Sequence, residues 1–122
     1  MHVSNIKETL DKAMEIDGAI GVALADYDSG MCLGTAGGRA GFDLEVAAAG
    51  NSEVIRSKHK VMASLGFEDS IQDILITLGT EYHLIFPLPN SSLFVYMALN
   101  RKGANLALAR HKLTDLCKGL SV

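Results

Sequence analysis

The sequence predicts an α+β domain of the order αββαβββα: a five-stranded antiparallel sheet with helices on both faces. Three observations lead there. First, the stretch Asp73–Leu99 holds three short apolar runs, Ile74–Leu78, His83–Leu88 and Leu93–Leu99, parted by breaks at Gly79–Tyr82 and Pro89–Ser92, the pattern of an antiparallel meander. Second, these runs are apolar on both faces, with Ile74, Ile76 and Leu78 on one side and Leu75 on the other, and Leu93, Val95, Met97 and Leu99 against Phe94, Tyr96 and Ala98. A half-solvated sheet would alternate with polar residues, so this one needs cover on both sides. Third, helical stripes precede, interrupt and follow the strand segments, and can supply that cover.

The first element is a helix over residues 3–16, with Val3, Ile6, Leu10, Ala13 and Met14 on one stripe. Ser4 or Asn5 can cap it, and Asn5 with Glu8 has the spacing of a reciprocal cap. Asp17-Gly18 ends it. A strand follows from Ala19 to Tyr27, with Ile20, Val22 and Leu24 on one face and Ala19, Gly21, Ala23 and Ala25 on the other. That small-residue face predicts close packing beneath a helix. Asp28-Ser29-Gly30 turns the chain into a weaker strand, Met31–Ala36, interrupted by Gly34.

After the loop at 37–41 comes the longest helix, about Asp43 to Leu65, with Asp43 as N-cap. Apolar pairs recur seven residues apart at Ala47/Ala48, Val54/Ile55 and Val61/Met62, which is a sustained seam. The stretch Ala47–Gly50 is small on all sides. Gly66 stops the helix and the meander follows. Leu106, Ala109, Leu113, Leu116 and Leu120 form a last amphipathic helix, whose Arg110, His111, Lys112 and Lys118 suit the negative end of its dipole.

The totals narrow the function. A chain of 122 residues, 48% hydrophobic and 20% charged, is one globular domain. A net charge of −3 gives no basic field for nucleic acid or an anionic membrane, and the absence of Trp argues against base stacking. Cys32 and Cys117 lie far apart with no CxxC, as in a reduced cytosolic protein. No secretory leader and no membrane span is visible, so a cytoplasmic location is expected.

No motif carries catalysis. The loop Gly34–Gly41 precedes a helix and could cradle phosphate, but it lacks both the P-loop ending and GxGxxG spacing, and Asp43 would repel an anion. His2, His59, His83 and His111 have no metal-ligand spacing and read as surface or strand-end residues. Asp26 and Asp28 could form a carboxylate pair, although turn chemistry accounts for Asp28. Pro87 marks a bulge or a strand end. No metal, cofactor or catalytic residue is expected. Arg56, Lys58, His59 and Lys60 form a basic run on the long helix, read either as a solvated face or as a partner patch, with Arg56 and Lys60 on one side.

With these residues in place, nearly the whole chain resembles the Roadblock (dynein light-chain) family. The resemblance rests on the order of elements, on Gly21-Val22-Ala23-Leu24-Ala25-Asp26-Tyr27-Asp28-Ser29-Gly30, on the small-residue middle helix, and on Asn105-Leu106-Ala107-Leu108-Ala109-Arg110 followed by Leu113. It implies a profilin-like sandwich that dimerises by pairing third strands edge to edge and laying middle helices side by side. It also implies a non-enzymatic scaffold or regulator of a small Ras-like GTPase. The expected homodimer interface is then Ala47, Ala48, Val54, Ile74, Ile76 and Leu78, and the expected partner contacts are Arg56, Lys58 and Lys60. The residues agree in two respects. An apolar third strand without Pro or Lys is an unguarded edge, although a central strand would look equally apolar, and Ala47–Gly50 would let a second helix approach. Two alternatives stand: a small-molecule sensory module with a pocket over the small face of the first strand, or a subunit of a larger heteromeric regulatory complex.

Overall fold

The structure, a computed structural model, describes residues 4–122, so the expectations placed on His2 and Val3 lie outside the described residues. The elements are α1 (Ile6–Ala13), β1 (Ala19–Asp26), β2 (Cys32–Gly37), α2 (Leu44–Ser64), β3 (Ile74–Thr77), β4 (Glu81–Pro87), β5 (Leu93–Asn100) and α3 (Leu106–Lys118), in the predicted order. The five strands lie in the order β2-β1-β5-β4-β3, and every neighbouring pair is antiparallel. Hairpins join β1 to β2, β3 to β4 and β4 to β5, α2 carries the chain from one outer strand (β2) to the other (β3), and the β1–β5 pairing unites the two halves of the sheet. The most apolar strand therefore sits in the middle, with Phe94 to Leu99 of β5 all buried.

Both faces are covered. Leu10 and Ala13 of α1 and Ala109 and Leu113 of α3 pack on Val22, Leu24, Leu84, Val95, Met97 and Leu99. On the other face Leu44, Ala48 and Ile55 of α2 meet Ala23, Ala25, Ile85, Phe94, Tyr96 and Ala98. Each fully buried Leu, Ile or Phe in these layers contributes about 1.5–3 kcal/mol relative to exposure. Of the small row on β1, Gly21, Ala23 and Ala25 lie under α2 as expected, a Cβ on Gly21 standing 2.9 Å from Leu44 Cδ2, whereas Ala19 packs on the opposite face.

Two local expectations are corrected. Ile20 was expected beside Val22 and Leu24, but it packs with the α2 layer. Ala19 pairs with Leu99 while Gly21 pairs with Ala98, so β1 carries one extra residue there, and this bulge reverses the alternation. Asn5 precedes α1 but makes no side-chain cap. Its carboxamide serves the far end of the chain instead: Nδ2 donates to the Gly119 carbonyl at 2.8 Å, and Oδ1 accepts from the Ser121 N–H at 2.6 Å. The Asn5 N–H also donates to the Ser121 carbonyl at 3.0 Å. Glu8 pairs with Lys12 at 3.0 Å and closes no reciprocal cap.

α2 begins and ends on strong local signals. The Asp43 carboxylate accepts from the N–H groups of Glu45 and Val46. At the other end Gly66, at φ +72°, takes the left-handed position, and Gly66 and Phe67 donate back to the carbonyls of Ala63 and Met62. This paired closure satisfies carbonyls the helix would leave open.

Candidate partner-binding surface

β3 is an outer strand, which resolves the choice between edge and centre. It runs over Ile74–Thr77 with no bulge against β4. Ile74 and Ile76 lie half-buried on the α2 side, while Leu78 falls just past the strand and is 43% exposed. No charge, Pro or bulge guards this edge. Its ends are fixed by two arginines: Arg110, which the sequence had suggested only for the helix dipole, and Arg101. Arg110 of α3 holds Asp73 at 3.1 Å, and Arg101 donates to the Leu78 carbonyl at 2.9 Å while stacking on Tyr82.

Beside β3, α2 presents a mixed face. Ala47 and Val54 are half-buried at the margin of the same core layer as Ile74 and Ile76. Ala48, expected at a dimer seam, is wholly buried against the chain's own sheet, because the seven-residue seam turns one member of each pair inward. The outward face carries Val46 (67% exposed), Ala49, Gly50 and Val61 (48% exposed), with Leu65 and Phe67 exposed at its end. Val54, Lys58, Val61, Met62 and Ile74 line a groove between α2 and the approach to β3.

The basic run does not assemble into one patch. Arg56 donates to the Tyr27 carbonyl and pairs with Glu53, so its guanidinium fastens α2 to the end of β1. The His59 ring packs edge-on against Tyr27, with centroids 5.4 Å apart. Lys58 and Lys60 are exposed and stand about 200° apart around the helix. Only Lys58 borders the groove.

A polar chain running from the surface into the core near the edge was not anticipated. Arg39 pairs with Glu81 at 2.6 Å, Glu81 Oε1 meets His83 Nε2 at 2.9 Å, and His83 Nδ1 meets the Tyr96 hydroxyl at 3.1 Å. Tyr96 is fully buried, and burial pushes its hydroxyl up to about 12. The His83 hydrogen bond, then Arg39, holds the Glu81 carboxyl below the usual glutamate range against the opposing effect of burial. His83 is thus a half-buried link, and the chain fastens the loop before α2 to β4. Glu81 and His83, two apart on a strand, share a face; that spacing was the available signal.

The remaining candidates resolve into structure. The Asp26 carboxylate, not Asp28, organises the first hairpin by accepting from the Asp28 N–H at 2.8 Å, which lowers its pKa. Asp43 occupies the α2 N-terminus and Arg39 is taken up by Glu81, so the glycine loop forms no phosphate cradle. The space over the small face of β1 is filled by α2. A cleft of about 670 Å³ lies instead at the end of the sheet, between Tyr27, His59, Phe86, Leu88 and Cys117. Cys32 and Cys117 are free and half-buried; burial pushes the Cys117 thiol up to about 12 and raises that of Cys32. No helix among the described residues is long and apolar enough to cross a membrane.

The fold defines a class. The chain has the Roadblock/LC7 fold, the same profilin-like α+β sandwich. It superposes on Myxococcus xanthus MglB with a TM-score of 0.82 at 13% identity, covering 93% of this chain and 89% of that one. A Roadblock/LC7 domain from Streptomyces avermitilis matches with a TM-score of 0.80 at 12% identity, covering 92% and 91% of the two chains. A chain of the LokiProfilin2/rabbit actin complex matches with a TM-score of 0.63 at 14% identity, covering 96% of each. By sequence, neither a protein-family model nor a curated protein matches the chain.

Proposed function

We propose that the protein is a non-enzymatic, homodimeric scaffold or regulator that binds a small Ras-like GTPase. The observation that carries this reading is the open β3 edge lying beside an exposed small and apolar face of α2. An edge with unpaired backbone groups and no guarding charge favours a second strand. The Roadblock/LC7 fold supports the reading, as does the family resemblance of the sequence. The dimer seam is formed by Ile74, Ile76, Leu78 and Val54, flanked by Ala47 and by the outward Val46, Ala49, Gly50 and Val61. Lys58 and Lys60 are the partner contacts, since both ammonium groups are exposed. The mechanism is contact-based: the dimer binds one conformation of the GTPase switch loops better than another and shifts its population.

The test is light scattering on a sizing column at several dilutions, followed by capture of nucleotide-loaded GTPases from the source cells on the immobilised protein. A mass near twice 13.0 kDa and retention of a GTPase are expected. A single-chain mass at all dilutions, or retention of no GTPase in either nucleotide state, refutes the reading. Equal GTPase recovery with Lys58→Ala/Lys60→Ala removes the two lysines from the contact.

A further inference from the structure

The hydrogen-bond parity of β3 settles how a second copy can join it. Ile74 pairs with Ile85 and Ile76 with His83, and the Leu78 N–H donates to the Glu81 carbonyl at 2.8 Å. In an antiparallel ladder, successive residues point their N–H and C=O groups to opposite sides. Ile74, Ile76 and Leu78 therefore direct theirs to β4. Leu75 and Thr77 direct theirs outward, and these are the backbone groups the edge offers to a newcomer.

We propose that two copies pair through β3 in one register, with Ile76 facing the partner's Ile76 on the two-fold axis. This rests on the dimer reading above and specifies it. A two-fold antiparallel pair brings together the same strand twice, so its registers are few. Centring on Leu75 sets Leu78 against the partner's Gln72. Centring on Thr77 sets Ile74 against the partner's Thr80. Centring on Ile76 sets Ile74 against the partner's Leu78 and Leu78 against the partner's Ile74, so every apolar residue on that face meets another. The same register bonds the outward groups of Leu75 to those of the partner's Thr77, and the reverse, giving four backbone hydrogen bonds. It also covers Leu78, which the single chain leaves 43% exposed. No charged side chain falls within Ile74–Leu78, so no like charges meet along the paired strands.

The registers differ in which residue meets itself, and single cysteines read this out. A pair lacking mutual backbone hydrogen bonds has Cα atoms about 4.5 Å apart, within disulfide range. Leu75→Cys, Ile76→Cys and Thr77→Cys are oxidised mildly beside the parent chain, whose Cys32 and Cys117 set the background, and run without reductant. Each variant is first sized under reducing conditions, so that folding and association are known before oxidation. The expected result is a doubled-mass band for Ile76→Cys at least ten times stronger than for the other two. Preferential linkage of Leu75→Cys or Thr77→Cys overturns the register and identifies the slipped one. A two-chain mass with no linkage at any position overturns edge pairing while the dimer stands. A single-chain mass for parent and variants overturns the dimer itself.

Discussion

The two outer strands of the sheet solve the same problem in opposite ways. β2 is closed to newcomers. It is bulged, because Leu24 pairs with Gly34 and Ala25 with Cys32, leaving Leu33 unmatched. α1 also lies hard against it: a Cβ on Gly34 would stand 3.1 Å from Ile6 Cγ2. β3 has neither device. It is regular, apolar and without a helix laid so closely on it; β4 pairs with it on one side, and arginine contacts fix its ends. Bulges and close cover are how proteins retire an edge. That one edge is retired and the other kept regular supports β3 as the edge of the proposed dimer.

The comparison can be broken or sharpened at named positions. The largest effect is expected from Ile76→Lys. It places an ammonium at the centre of the open edge and should weaken association by roughly 100-fold or more, read as a fall in scattering mass toward one chain. A mass unchanged at all dilutions would remove β3 from the assembly. On the closed edge, Gly37→Ala should cost about 1–3 kcal/mol of stability in denaturant titration while leaving the assembled mass alone. Gly37 sits at φ +71°, a conformation L side chains rarely adopt, and a Cβ there would meet the Ile20 carbonyl at 3.0 Å and displace the flexible tip of Met14. If that change instead dissociated the protein, β2 would be the assembly edge.

Arg110→Met should cost about 1 kcal/mol, discounted for the pair's partial exposure. Its sharper signature is faster amide exchange confined to β3, since Asp73 loses its hold on α3. The Glu81 link adds a pH term. Its carboxyl is held low in the fold, so the ionised form is bound; the stabilisation is complete above the unfolded-chain value and is lost as pH falls through the folded one. Between about pH 5 and 3, the parent should lose more stability than Glu81→Gln. Equal losses would mean that the Arg39–Glu81–His83 chain contributes nothing to folding. Smallest of all, Lys60→Ala should stay within about 0.5 kcal/mol of the parent and leave the mass unchanged, because its side chain is exposed.

What was legible in the sequence follows from periodicity. The alternation of Leu93–Leu99 and the stripe of α3 are set by side-chain direction alone, and both faces came out as expected. Asp43 and Gly66 punctuate α2 through local bonds, so its limits were readable within a residue or two. What was not legible depends on contacts between distant residues. The bulge at Ala19–Gly21 turned Ile20 to the other face, and a one-residue insertion leaves no mark in composition. Arg56 read as a free cation because Tyr27, its acceptor, is far away in sequence. Ala48 read as half of a seam because a heptad pair does not say which member faces its own sheet. Whether β3 was edge or centre depended on the β1–β5 pairing, which no local pattern encodes.

The Asn5 clamp has a consequence for chain order. Asn5 is bound to Gly119 and Ser121 through three hydrogen bonds, so the two ends of the described chain are neighbours in space. Joining residue 122 to residue 4 by a few glycines, and cutting the exposed turn at Asp28–Ser29, would give a circular permutant that keeps every layer and both edges. In such a chain the closed edge would come first and the open edge midway, so the architecture does not depend on where synthesis starts.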